Sequence, residues 1–123
     1  MAHRIEHELI AQRVAQNQEA FRAANEEIET AALSMAPDLP RVPFICECPE
    51  TGCTRTIRLP VSEYEAIRSD PRRFVVISGH EVCEVEGEEV ARIVARAPEY
   101  TIMEKVRAAG DEAERLDSRS NDP

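Results

Sequence analysis

The residues of this chain best suited to chemistry are crowded into FICECPETGCT, Phe44 to Thr54, which holds Cys46, Cys48 and Cys53, three of the four cysteines. A structural zinc ion takes four thiolate or imidazole ligands in a tetrahedron, usually from tight turns plus a more distant residue. In an extended segment residues two apart project to one side, so Cys46 and Cys48 can face the same ion. Pro49 fixes a turn after them, and Gly52 has the conformational freedom to bring Cys53 back to the same point. Three sulfurs leave one position. His80, in SGHE, follows directly on a strand-like run, and Gly79 beside it permits close approach, so it is the leading fourth ligand. Cys83, three residues on, is its rival. The expected site is therefore Zn2+ on Cys46, Cys48, Cys53 and His80; the plain alternative is that the cysteines are simply buried as small hydrophobes.

Other chemistries find less support. A catalytic zinc keeps an open position, and three thiolates would donate enough charge to weaken its Lewis acidity. The sequence has no GxSxG turn, HExxH helix, phosphate-binding glycine loop or dinucleotide fingerprint, so no catalytic and no organic-cofactor residues are assigned. Glu63, Glu65 and Asp70 read as a solvated face. Arg55, Arg58, Arg68, Arg72 and Arg73 read either as a basic patch beside the metal or as arginine stems covering a thin core. His3 and His7, four apart on one helix face, read as a solvated pair.

Composition sets the frame for these residues. A chain of 123 residues with 4% aromatics and no tryptophan supports one modest core, and such a core gains much from a metal staple. A net charge of −9 disfavours a nucleic-acid partner, whose phosphates call for lysine and arginine. MAHRIEHELIAQRV lacks the continuous apolar run of a signal peptide, and no stretch approaches the roughly 20 apolar residues of a membrane span. The cytoplasm is the expected compartment, and clustered cysteines there point to metal or redox chemistry before disulfides.

The pattern along the chain implies an α+β fold: a long N-terminal helix followed by a small zinc-stapled antiparallel β domain with one short helix. Residues 1–36 contain neither proline nor glycine and are rich in helix formers. Val14, Phe21, Ile28 and Met35 recur every seven residues, with Asn17, Ala24 and Ala31 between them, an a/d-like seam that either lies on its own domain or pairs with a second copy of the chain or a partner helix. Residues 37–43, with three prolines, form a stiff linker. Residues 44–106 form the compact part. FIC and TRTIRLP are strands flanking the cysteine turn, and Ser62 with Glu65 makes a capping box for a short helix closed by Asp70-Pro71. RFVVIS is the most buried strand and the expected centre of the sheet. GHEVCEVEGEE is a polar loop. EVARIVAR and YTIMEKV form a hairpin around Ala97-Pro98-Glu99, with a helix over 88–97 as the alternative. Residues 107–123 are a mobile charged tail.

FICEC with Cys53, then SEYEAIRSDPRRFVVISGHE and a late TIMEK, resembles a family of short uncharacterised actinobacterial proteins with an FxCECx4C segment, an EYxxxRxxPxRFxVxxGH segment and a terminal hairpin. The resemblance runs from about Gln18 to Lys105. It implies the same cysteine positions, favours His80 over Cys83, and brings no activity. The expected function is a cytosolic zinc-stabilised interaction or regulatory module without catalysis, with a protein partner or self-association through the N-terminal helix. A thiol-based redox regulator in which Cys83 resolves an oxidised neighbour is the alternative, and a metal-dependent enzyme is the third.

Overall fold

The computed structural model describes residues 2–50, 52–117 and 119, with side chains from Ala15 onward; His3, His7 and Val14 therefore have side chains outside the described residues. The long helix α1 runs over Ala2–Met35, and the proline-rich segment that stops it gives way to strand β1, Val42–Ile45. β1 pairs antiparallel with β2, Thr56–Leu59, across the cysteine loop. The alternation in TIRL works as expected, with Ile57 and Leu59 buried between exposed neighbours. The short helix α2, Val61–Arg68, begins behind Pro60 without any side-chain cap, so the expected Ser62–Glu65 capping box is not formed: both residues already lie inside the helix.

β3, Arg73–Ile77, buries Phe74, Val75 and Val76 in succession. The expected polar loop after it contains a minimal hairpin of β4, Glu84–Val85, and β5, Glu88–Glu89, turned by Glu86 and Gly87 at positive φ. β6, Ala91–Arg96, and β7, Tyr100–Lys105, form the expected hairpin, with a bulge between Ile93 and Ala95. Extended pairing prevails over a helix here because β7 offers β6 a ladder on both sides of that bulge. The strand order is β3-β7-β6, so β7 and not RFVVIS is the centre of this sheet. The structure is thus α+β, with antiparallel sheets and three helices among the described residues.

The free edge of β3 is closed by the cysteine loop. The Val75 N–H donates to a carboxylate oxygen of Glu47 at 3.0 Å, the Val75 carbonyl accepts the Glu47 N–H at 2.8 Å, and the Ile77 N–H donates to Cys46 Sγ at 3.2 Å. An open strand edge is a liability, and here the cysteine segment covers it.

α1 docks on this arrangement in cis, through a polar row. Gln18, Arg22 and Asn25, spaced to share a helix face, are all buried. Each answers backbone groups that no strand satisfies: Gln18 donates to the Glu47 carbonyl at 3.1 Å, Arg22 to the Pro71 carbonyl at 2.6 Å, and Asn25 both donates to Ile45 at 2.8 Å and accepts from it at 2.7 Å. Of the expected apolar seam, Ile28 packs on the core with Ala32, Phe21 is half-buried, and Met35 is 82% exposed.

The expected mobile tail is, over Arg107–Leu116, helix α3, which packs against α1 and β7. Its small residues permit this closeness. Gly110 is buried where a Cβ would stand 1.9 Å from the Arg72 guanidinium and 2.8 Å from the Lys105 carbonyl. Just beyond it, buried Asp117 pairs with buried Arg68.

Candidate metal centre

Cys46 follows β1, Cys48 and Cys53 belong to the loop between β1 and β2, and His80 lies three residues beyond β3. The fold brings these four together. Their ligand atoms all lie within 4.8 Å of one another, and Cys83 is not in the group. His80 presents Nδ1 to the sulfurs, 3.6 Å from Cys46 Sγ and 3.7 Å from Cys53 Sγ. Zinc–sulfur and zinc–nitrogen bonds of about 2.3 and 2.0 Å set at the tetrahedral angle imply a sulfur-to-nitrogen edge of about 3.6 Å. The two observed separations match that edge.

Local structure explains the placement. The Cys46 N–H donates to the Arg55 carbonyl at 2.9 Å, which closes the loop at its base. The Cys53 N–H donates to the Glu50 carbonyl at 3.1 Å, turning the chain back; Thr51 lies outside the described residues. On the other side, Gly79 has φ +99°, a conformation that glycine adopts without strain, and the His80 N–H reaches back to the Ile77 carbonyl at 2.9 Å. Gly79 N–H also donates to the Glu81 carboxylate at 2.6 Å.

Cys46 and Cys48 are fully buried, while Cys53 and His80 are half-buried. Burial pushes the Cys46 thiol up to about 12; the Ile77 N–H opposes this, and the crowding by Cys48 and Cys53 adds to it. Burial likewise raises Cys48, against the Glu50 N–H. Thiolates packed this closely repel one another in a dry site, and a cation is the charge that reverses the balance. The N–H groups of Ile77 and Glu50 are the backbone donors that commonly support thiolate ligands. The donor set fits a metal ion: three soft sulfurs and one imidazole nitrogen, all within 4.8 Å of one another.

No family model, curated protein or solved structure matches this chain. Its four ligand residues come from the margins of two sheets that share no ladder, so an ion held there ties β1–β2 to β3–β7–β6.

Sequence reasoning missed the other half of this segment. Glu47, between two ligands, projects away from them and is 1% exposed. Its carboxylate accepts from Tyr64, Asn25 and the Val75 N–H. The signal was available in FICEC, where alternation gives the middle residue the opposite face from the two cysteines. The basic patch is not assembled either. Arg68 is buried against Glu26 and Asp117, Arg72 pairs with Asp111 and Glu114, and Arg73 with Asp70, leaving Arg55 and Arg58 exposed on the β1–β2 side. Glu63 and Glu65 are not idle: Glu63 accepts from Tyr100, and Glu65 pairs with Arg119.

Proposed function

We propose that this chain is a small zinc-stabilised protein-interaction or regulatory module in which the ion is structural. The observation that carries this reading is the convergence of Cys46, Cys48, Cys53 and His80 within 4.8 Å from the margins of two separate sheets. Four protein ligands complete a tetrahedron and leave no position for a substrate, which is the pattern of a structural site. Sulfur-rich ligation with one imidazole suits zinc better than magnesium or calcium, which favour oxygen. The resemblance to short actinobacterial proteins with the same cysteine and histidine pattern accords with this.

The surface offered to a partner is the C-terminal end of α1 and the segment after it, where Leu33 is 56%, Met35 82% and Leu39 52% exposed. Apolar side chains left in water at a helix end favour a protein partner or a second copy of the chain. The acidic balance of the chain speaks against nucleic acid. No helix among the described residues is long and apolar enough to cross a membrane.

Elemental analysis of purified chain, combined with its mass in solution, tests the reading. About one zinc per chain is expected, with loss of folded structure on chelation, because the binding free energy of a structural ion is folding free energy. Metal-free protein that is equally folded and stable would defeat it. The redox alternative has a specific sulfur in its favour: Cys53 is half-buried where Cys46 and Cys48 are buried, so it is the ligand an oxidant reaches first. Reversible zinc release by low peroxide would support that reading over a constitutive site.

A further inference from the structure

Away from the metal centre a cavity of about 630 Å³ opens between α1, the β4–β5 hairpin and α3. Phe74, Val85, Val90, Ala109 and Ala113 give it largely apolar walls. Its volume is in the range of pockets that enclose small organic molecules. One cationic group is set into the buried wall. Lys105, at the end of β7 and the chain's single lysine, is only 8% exposed, with Nζ 5.6 Å from the centre of the Phe74 ring.

Among the described residues this ammonium has no carboxylate, carbonyl or hydroxyl partner. Its charged neighbour is another cation, Arg22, which lies over the same ring at 4.3 Å and is itself engaged by Glu19 at 2.5 Å. The carboxylates around the cavity are turned to other uses or to water. Glu89 pairs with Arg107 and Glu112 with Arg115, while Glu84 and Glu88 are exposed. A buried ammonium without a counter-charge is costly, and the cavity beside it is where a counter-charge can enter.

We propose that this cavity binds a small organic monocarboxylate, its carboxylate seated on the Lys105 ammonium and its apolar body against Phe74, Val85 and Val90. A single ammonium in an apolar wall neutralises one negative charge. The exposed glutamates at the opening oppose ligands with a second one, and so disfavour phosphates and dicarboxylates. This inference is independent of the metal, since none of the four ligand residues lines the cavity.

The single lysine makes the test direct. The intact, zinc-loaded chain, labelled with carbon-13 lysine, is titrated with hexanoate while amide and lysine signals are followed. Saturable shifts at Gly87, Val90 and Ala109 are expected, with the Lys105 titration midpoint moved to higher pH as hexanoate binds. Lys105→Met should weaken hexanoate binding by at least about tenfold, the factor expected for a lost charge-assisted contact, without lowering the unfolding temperature. Hexylamine and inorganic phosphate should produce no saturable shift. Absence of saturation by hexanoate, equal affinity in folded Lys105→Met, or tighter binding of hexylamine or phosphate would overturn the proposal. Should Lys105→Met not fold, the wild-type lysine signal decides: binding that leaves its titration unmoved overturns the proposal.

Discussion

The phenol of Tyr64 donates to the Glu47 carboxylate at 2.7 Å, with both side chains almost entirely out of solvent. This one contact fastens α2 to the residue between two metal ligands. The Tyr64 ring also stacks on Phe44 at 4.2 Å, and the same Glu47 oxygen accepts from Asn25 of α1 at 2.9 Å. Burial raises the Glu47 carboxyl above the usual range, while Asn25, Tyr64, the Val75 N–H and the Arg22 charge oppose it. The cysteine segment therefore has two faces with different tasks: sulfur toward the candidate metal site, and a carboxylate that collects α1, α2 and β3.

Tyr64→Phe separates those tasks. It removes a buried donor to the carboxylate and keeps the ring stack, so a loss of about 1.5–3 kcal/mol in unfolding free energy is expected, in line with hydrogen bonds to charged groups. Zinc content of the folded protein should not change. Denaturant titration with metal analysis checks both. Loss of zinc without loss of stability would show that the Glu47 clamp serves the site and not the core.

His80→Ala and Cys83→Ser test the ligand set. Removing the imidazole takes away the ligand that stands 3.6 and 3.7 Å from two of the sulfurs, so on the proposed reading zinc retention and thermal stability should both fall. Cys83 lies outside the four-residue group, and its serine variant should keep its metal. Metal analysis after gel filtration reads the result. Zinc lost in Cys83→Ser and kept in His80→Ala would exchange the two assignments.

The parts of this structure legible in the sequence are those written in short-range chemistry. The CxC spacing, Pro49 and the SGH turn announced the cluster, and period-two alternation in TIRLP and the run RFVVIS announced their strands. What escaped depends on where the chain returns. Gln18, Arg22 and Asn25 read as helix surface because nothing local says that the carbonyls of Ile45, Glu47 and Pro71 need donors. α3 looked like a charged tail because its buried side consists of Gly110 and Ala113, which carry little hydrophobic signal. Lys105 gave only its rarity as a sign.

The sequence 107–117 should accordingly matter to stability. Asp117→Ala would leave the buried Arg68 guanidinium with Glu26 alone, at 2.8 Å. Removing one partner of a buried ion pair costs about 3–5 kcal/mol, far more than a change in a solvated tail. Thermal unfolding of the variant tests this. A shift within the error of the wild type would return the segment to the role of a loose tail.

A pH dependence follows from Glu29. Burial first, then hydrogen bonding with and repulsion from Glu65, pushes its carboxyl up from 4.5 to about 7. Its Oε2 is buried without a donor, while Glu65 is held by Arg119 at 2.8 and 2.9 Å and is pulled to lower pKa by that contact. Glu29 is therefore the member of the pair that keeps a proton. Between 4.5 and about 7 the folded chain holds a proton that the unfolded chain has released. Stability from this group is present below the unfolded value and is lost as pH rises through that window. Glu29→Gln keeps a neutral side chain at every pH, so its stability relative to wild type should rise across the window and level off above it. Comparing the two proteins at each pH cancels the separate protonation of the zinc ligands, which both share. Unfolding midpoints measured from about pH 5 to about pH 8 give this difference directly, and the window of the native proton sets its expected shape. A flat difference would mean that Glu29 ionises in the folded chain as it does in the unfolded one, and that Arg119 neutralises both carboxylates.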